Sequence, residues 1–372
     1  MRLERREVPS PLALVLAPLG AVAATLLVCA LLVLWAGAPV GRTYAAIAAG
    51  GFGSLFAWSE TLTRAVPLVL TGLAATVAFR AHLYNIGGEG QLYGGAMAAV
   101  MVGSWLVTEG AEGTPALLWP AWLALLVVFA AAAVAGAALL LGPAWLKARL
   151  GVDEVVTTLL LNFVILLGVS ALLDGPMKDP TSMGWPQSVP IPADLELTRL
   201  VQGLRLHSGL FIAAGLSVVL ALVFRFTVLG FHIRASGANA RAAAFAGVPA
   251  LRTTLVVALM SGALAGLAGA IEVAGRAGYV TLDMSPGYGY TGIVIAMLAG
   301  LQPLAVLAAG VFVAGMLVGA DSMSRVVGVP TYIADVVVAT SLIAVLVATL
   351  LAQYRIRWRP MARAAAGDGS GA

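Results

Sequence analysis

Long stretches without a single Asp, Glu, Lys or Arg dominate this chain, covering 8–41, 65–79, 90–108, 113–146, 155–173, 206–224, 253–271, 284–320 and 336–354. A helix needs about 20 mostly apolar residues to cross the ~30 Å hydrocarbon core of a bilayer. A water-soluble domain would have to cover its outer faces with charge. Only 10% of the 372 residues are charged, against roughly 25% in ordinary globular domains. The pattern predicts an all-α fold, a polytopic transmembrane helical bundle. Gln302-Pro303 divides the stretch 284–320, because proline ends a helix, and about ten spans result.

The same marks give the organisation of the chain. Residues 1–7 form an N-terminal tail, 8–354 the transmembrane domain and 355–372 a C-terminal tail. Arg2, Arg5 and Arg6 precede a first apolar run too long for the core of a cleaved signal peptide, so it reads as a retained span. Ten spans put both termini on one side. With both cytoplasmic, the inner segments carry 14 of the 21 Lys and Arg residues, as the positive-inside rule requires. The segment 174–205, with Pro176, Pro180, Pro186, Pro190 and Pro192, reads as an irregular extracytoplasmic loop.

Two places interrupt the apolar pattern with glycine and polar residues at a helix entrance. One is Asn85-Ile-Gly-Gly-Glu-Gly-Gln-Leu-Tyr-Gly-Gly95 and the other Pro286-Gly-Tyr-Gly-Tyr-Thr-Gly292. Non-helical backbone at membrane depth must line a cavity or be buried in protein, and broken helices mark substrate paths in many transporters. The two places correspond if spans 2–5 and 7–10 are units of an inverted repeat. Chance similarity between apolar helices fits equally well at this stage. Glu89 is the sharpest single residue, since a carboxylate near the membrane interior needs partners or water. It either serves the solute path or caps a helix while glycines permit close packing. Asn162 and Gln302 are polar residues among apolar ones, suited to interhelical hydrogen bonds. Tyr288 and Tyr290 suit either stacking on a planar ligand or anchoring at the membrane interface.

The longest inner loop, 225–249, holds an alanine-rich stretch, 238–246, between Gly237 and Gly247, which predicts a short helix outside the bilayer. Arg234 and Arg241 give it charge and Phe245 an apolar knob. An ordinary positive-inside loop and a helix that docks on a partner both fit. Other function classes find no support. No phosphate-binding G-x-x-x-x-G-K-[ST] occurs, so the chain has no ATP site of that kind. His82, His207 and His232 are far apart in sequence, the lone Cys29 sits in an apolar run, and no cofactor or metal is expected in this chain. The net charge of +4 is spread singly between apolar runs, which argues against nucleic-acid binding.

Three segments resemble the permease subunits of bacterial nucleoside and simple-sugar ABC importers, within the group that includes branched-chain amino acid and ribose permeases. Asn85-Ile-Gly-Gly-Glu-Gly-Gln91 is similar to the family's N-I-G-x-E-G-Q signature. Asp153-Glu-Val-Val-Thr-Thr-Leu-Leu-Leu-Asn162 is similar to its E-V-x-x-T-L-x-L-N segment, and Gly230 to Val248 resembles its coupling-helix loop. The resemblance runs from about residue 60 to 350. It implies an ATP-binding subunit that carries ATP and Mg, a second permease subunit and an extracytoplasmic substrate-binding lipoprotein, all in a bacterial cell membrane. It places Arg234, Asn239, Arg241 and Phe245 at or near the ATPase contact, and Asn85, Glu89, Gln91, Asn162 and Tyr290 along the substrate path. Nucleosides are the implied substrates and simple sugars the runner-up. The alternative is a secondary transporter coupled to H⁺ or Na⁺ through Glu89, which would drive uptake without partners.

Overall fold

The computed structural model describes residues 37–109 and 115–328 without a break, together with short pieces towards both ends. The chain divides into two units, 1–43 with 329–372 and 44–328. In the first, Arg2–Arg5 pairs antiparallel with Tyr354–Arg357. Most of the predicted spans 8–41 and 336–354, and of the tails 1–7 and 355–372, lies outside the described residues.

The second unit is built of helices. They are α1 (Val40–Phe52), which begins at its edge, α2 (Leu55–Arg80), α3 (Gly88–Trp105), α4 (Ala121–Leu150), α5 (Glu154–Asp174), α6 (Gly209–Phe226), α7 (Val228–Ala238), α8 (Ala240–Phe245), α9 (Ala250–Glu272), α10 (Tyr288–Leu298) and α11 (Pro303–Val327). A short antiparallel pair, β1 (Val107–Glu109) and β2 (Pro115–Leu117), lies between α3 and α4. Among the described residues six helices, α2, α4, α5, α6, α9 and α11, are long and apolar enough to cross a membrane, or seven if α1 is joined to the helical piece before it. Of the expected ten, the first and last lie mostly outside the described residues, and the third and eighth are not among these six. The eighth predicted span is helical only over the 11 residues of α10, which at 1.5 Å per residue extend about 16 Å.

The second predicted span also differs from its charge-free run, 65–79. Ser54 accepts the Ala57 N–H as an N-cap, and the helix runs 26 residues from Leu55 to Arg80. Glu60 and Arg64 therefore lie inside it. Arg64 pairs with Asp321 of α11 at 2.6 Å, so a charge that looks like a span boundary in the sequence is tolerated because it has a partner.

Burial separates the centre from the periphery. The most apolar window of α2 is 83% buried, whereas that of α5 is 17% buried. Leu160, Phe163, Val164 and Leu167 of α5 accordingly face outward, as lipid-facing side chains do. Glycines allow the inner helices to meet backbone to backbone. A Cβ at Gly136 of α4 would lie 2.2 Å from the Gly262 carbonyl of α9, and one at Gly269 would lie 2.0 Å from the Leu92 carbonyl of α3. Such approaches provide the dispersion contact that holds helices together in lipid, where the hydrophobic effect does not. The result is a paired arrangement: α9 packs on α3 and α4, and α2 packs on α10 and α11. The Ser261 hydroxyl of α9 donates to the Ala74 carbonyl of α2 at 2.8 Å and joins the two sets.

The proline-rich segment 174–205 is irregular apart from the single turn Ala193–Leu195. Its backbone is held against the chain that follows α9: Ile191 N–H donates to the Gly278 carbonyl at 2.7 Å and Leu197 N–H to that of Ala274 at 2.8 Å. Just before α6, His207 is fully buried, its Nδ1 accepting from Gly209 N–H while Nε2 has no hydrogen-bond partner. Burial, reinforced by the nearby Arg276 charge, pushes this imidazole down to about 4.

Candidate functional site

The polar centre of the bundle is the break between α2 and α3, residues 81–87. The N–H groups of Ala81, His82 and Leu83 still reach carbonyls at the end of α2, but those of Tyr84 and Ile86 do not and would be costly to bury unpaired. Side chains of α5 supply the missing partners from one face, at every fourth residue. Glu154 Oε1 accepts from Tyr84 N–H at 3.1 Å, and Thr158 Oγ1 accepts from Ile86 N–H at 3.1 Å. Asn162 Oδ1 accepts from Gly90 N–H at 2.8 Å, while its Nδ2 donates to the Ile86 carbonyl at 2.8 Å. Lys147 of α4 neutralises Glu154 at 2.5 Å. The spacing of 154, 158 and 162 places all three on one stripe of the helix, and that stripe is the buried part of an otherwise outward-facing α5.

Within the break, Asn85 and Gln91 bind each other amide to amide. Asn85 Nδ2 donates to Gln91 Oε1 at 2.9 Å and Gln91 Nε2 donates to Asn85 Oδ1 at 3.0 Å. The remaining capacity of Asn85 goes to the Ser261 hydroxyl and to Gly87 N–H. Both side chains are buried. These contacts make them fasteners of the break, with their hydrogen bonds spent inside the protein.

Glu89 lies in the first turn of α3, and its Oε2 accepts from Gly289 N–H, in the first turn of α10, at 2.6 Å. Ser285 and Gly287 lie alongside the carboxylate. A Cβ on Gly289 would come within 2.2 Å of the Glu89 nitrogen, so the two helix entrances meet in backbone contact. The N-termini of α3 and α10, each carrying partial positive charge, therefore converge on one buried carboxylate. Tyr290 completes the group: its hydroxyl accepts from Asn162 Nδ2 at 3.1 Å. Asn85, Glu89, Gln91, Asn162 and Tyr290 are thus brought together. Tyr290 is the one of the five that keeps substantial exposed surface, 38%.

The second predicted group lies on α7 and α8. The alanine-rich stretch 238–246 is two pieces: α7 reaches Ala238, and α8 begins afresh at Ala240. Asn239 makes the join, its Oδ1 accepting from the N–H groups of Arg241 and Ala242 at 3.1 Å each, which identifies it as an N-cap. Ala243 is buried beneath α8, while Arg241 and Phe245, four residues apart, share its outer side; Phe245 is 95% exposed. Arg234 is on α7, away from α8 and beside Arg80.

The motif from Asp153 to Asn162 contains Glu154 and Thr158, but the sequence alone assigned them no role and did not single out Ser261. For Glu154 and Thr158 the signal was the period-4 recurrence of polar residues in an apolar helix. It also did not reveal the fully buried Glu272, whose Oε1 pairs with Arg276, one turn on.

Residues 57–346 match the family described as the permease component of the branched-chain amino acid transport system. The chain belongs to this permease family. Among relatives, the permease is 37% identical to the glucose ABC transporter permease protein of Haloferax volcanii, over 82% of this chain and 79% of that one. It is 32% identical to the guanosine ABC transporter permease protein of Bacillus subtilis, over 92% and 94% of the two chains. The nucleoside ABC transporter permease protein of Lactococcus lactis is 32% identical, over 77% and 78%. The permease is a multi-pass membrane protein and a transport subunit of an ABC importer. Permeases of ABC importers work in general with separate ATP-binding and substrate-binding partners.

Proposed function

We propose that this permease translocates nucleosides inward across a bacterial cell membrane, with simple sugars the runner-up class. An extracytoplasmic lipoprotein delivers the substrate, an ATP-binding subunit supplies the work, and a second permease chain, identical or paralogous, completes the membrane channel. Two of the relatives above carry guanosine and nucleoside in their names and one carries glucose, which sets that order.

The observation that carries the mechanism is α8, a capped helix that presents Arg241 and Phe245 outward with no cover. A large apolar side chain 95% exposed beside a cation suits a groove on a protein partner. The loop 225–249 would then be cytoplasmic, as would both termini. A push on α8 reaches the broken helix by a short route. Gly237 of α7 packs on the last residue of α2, where an added Cβ would lie 2.0 Å from the Arg80 carbonyl, and the break begins at the next residue. Rocking of α2 and α9 about that break would expose the space beside Tyr290 to each side in turn.

The exchange-related packing, α2 on α10 and α11 and α9 on α3 and α4, supports an inverted repeat of spans 2–5 and 7–10. The runs 8–41 and 336–354 would supply outer spans towards the ten-span topology. Glu89 Oε2 is hydrogen-bonded to the Gly289 N–H, which favours a fastening role over the ion-coupled alternative. The test is co-reconstitution with the ATP-binding and substrate-binding proteins, measuring ATP-dependent uptake of labelled nucleosides against pentoses and hexoses. Nucleoside uptake supports the reading, and uptake of sugars alone replaces it with the runner-up.

A further inference from the structure

At the end of the bundle that carries α7 and α8, the tips of α2, α6 and α11 enclose a cleft of about 370 Å³, within the ~300–1,000 Å³ usual for ligand sites. Three arginines line it: Arg80 from α2, Arg225 from α6 and Arg234 from α7. Among the described residues no carboxylate forms an ion pair with any of them; the four ion pairs present use Arg64, Lys147, Arg205 and Arg276. Arg80 is half-buried, and the charge that it does feel is the like charge of Arg234. Its guanidinium lies over the Phe224 ring, 4.9 Å from the centroid. Packing therefore holds three cations in one cleft with no ion-pair partner among the described residues.

A second feature points the same way. Gln302 and Pro303 line the same cleft at the start of α11, a helix of 25 residues, and Gln302 makes no side-chain cap there. The first-turn N–H groups of a helix that long attract anions. Excess cations and an uncapped N-terminus together define an acceptor for phosphate-like charge.

We infer that this cleft binds the phosphate of an anionic phospholipid headgroup. The surroundings favour lipid over a protein carboxylate. Leu304, in the lining, is 54% exposed, and Arg225 lies over the ring of the 71% exposed Phe226, 5.3 Å from the centroid. Cations with aromatic and aliphatic side chains at helix ends occupy the zone where headgroups meet acyl chains, and basic pockets between membrane helices bind anionic headgroups. The bound phosphate would bridge α2, α6, α7 and α11 next to the α7–Arg80 contact, so membrane charge would bear on the element through which α8 acts.

The test is native mass spectrometry of the purified full chain titrated with phosphatidylglycerol, with phosphatidylcholine and with inorganic phosphate. Phosphatidylglycerol should bind several-fold more tightly than phosphatidylcholine. Arg80→Gln and Arg225→Gln should each weaken it by about fivefold, Arg80→Lys should retain most of it, and phosphatidylcholine binding should not change. Arg225 is exposed, so its replacement disturbs no core. Equal binding of the two lipids, or variants indistinguishable from wild type, would overturn the inference. Displacement of phosphatidylglycerol by an equal concentration of inorganic phosphate would also overturn it and make the site one for a free anion. Variants that bind the lipid normally but no longer assemble with the ATP-binding subunit would assign the cleft to that partner instead.

Discussion

The Glu89 carboxylate accepts the Gly289 N–H at 2.6 Å across 200 residues of sequence, and by doing so ties the entrances of α3 and α10 together. The carboxylate satisfies an N–H of the first turn of α10 and, sitting in the first turn of α3, also complements the partial positive charge of that helix end. Glu89→Gln keeps the shape but removes the charge, so it should weaken the junction by about 1 kcal/mol and slow transport while the complex still assembles. Glu89→Ala leaves the Gly289 N–H unpaired and should cost roughly 1–3 kcal/mol. Thermal melts of the two variants alongside uptake rates check the pair. Loss of assembly in Glu89→Gln would mean that its role is structural throughout.

Gly289→Ala places a methyl group 2.2 Å from the Glu89 backbone nitrogen, where neither helix can yield without moving the other. It should destabilise the protein by ~1–3 kcal/mol or more and abolish uptake. Gly168→Ala on α5, where an added Cβ meets nothing within 4 Å, should be neutral or slightly stabilising. Equal melting behaviour of the two variants would show that the junction is looser than described.

Asn162→Leu removes three hydrogen bonds at once, those to Gly90, Ile86 and Tyr290. Thr158→Val removes the bond to Ile86 N–H and its own bonds back along α5. The first should lower stability by several kcal/mol and the second by about 1–3 kcal/mol, and hydrogen exchange should rise at the backbone amides of Ile86 and Gly90. Protection that survives in both variants would contradict the role given to α5.

Much of this was legible in the sequence and some was not, for physical reasons. Glycine-flanked Glu89 stood out because buried charge beside broken helix is rare in lipid, and the resemblance placed it with Asn85 and Gln91. Glu60 and Arg64 misled the extent of the second span, since charge-free runs mark span ends only when charges are unpaired, and Arg64 has Asp321. The split of 238–246 at Asn239 was hidden because alanine favours helix on both sides and the cap is decided by one side chain. The α5 ladder needed the fold, because its three residues are polar partners for a loop some 70 positions away.

The buried imidazole of His207 gives a pH signature. Its folded value, about 4, lies below the ~6.5 of an unfolded histidine, so the unfolded chain takes up a proton that the folded one refuses. The contribution is complete above about pH 6.5 and is lost as pH falls towards 4. Melting temperature should therefore drop over that interval, and His207→Gln should flatten the slope. An unchanged slope in the variant would assign the acid sensitivity to other groups.

The most direct test of the central claim, that α8 receives the work of an ATP-binding partner, is the ratio of substrate imported to ATP hydrolysed by the reconstituted transporter carrying Arg241→Ala and Phe245→Ala together. The account predicts that the altered chain inserts and assembles, that ATP hydrolysis continues, and that import falls at least tenfold, the roughly 1.4 kcal/mol or more expected for loss of two interface anchors. An unchanged ratio with normal import would contradict it.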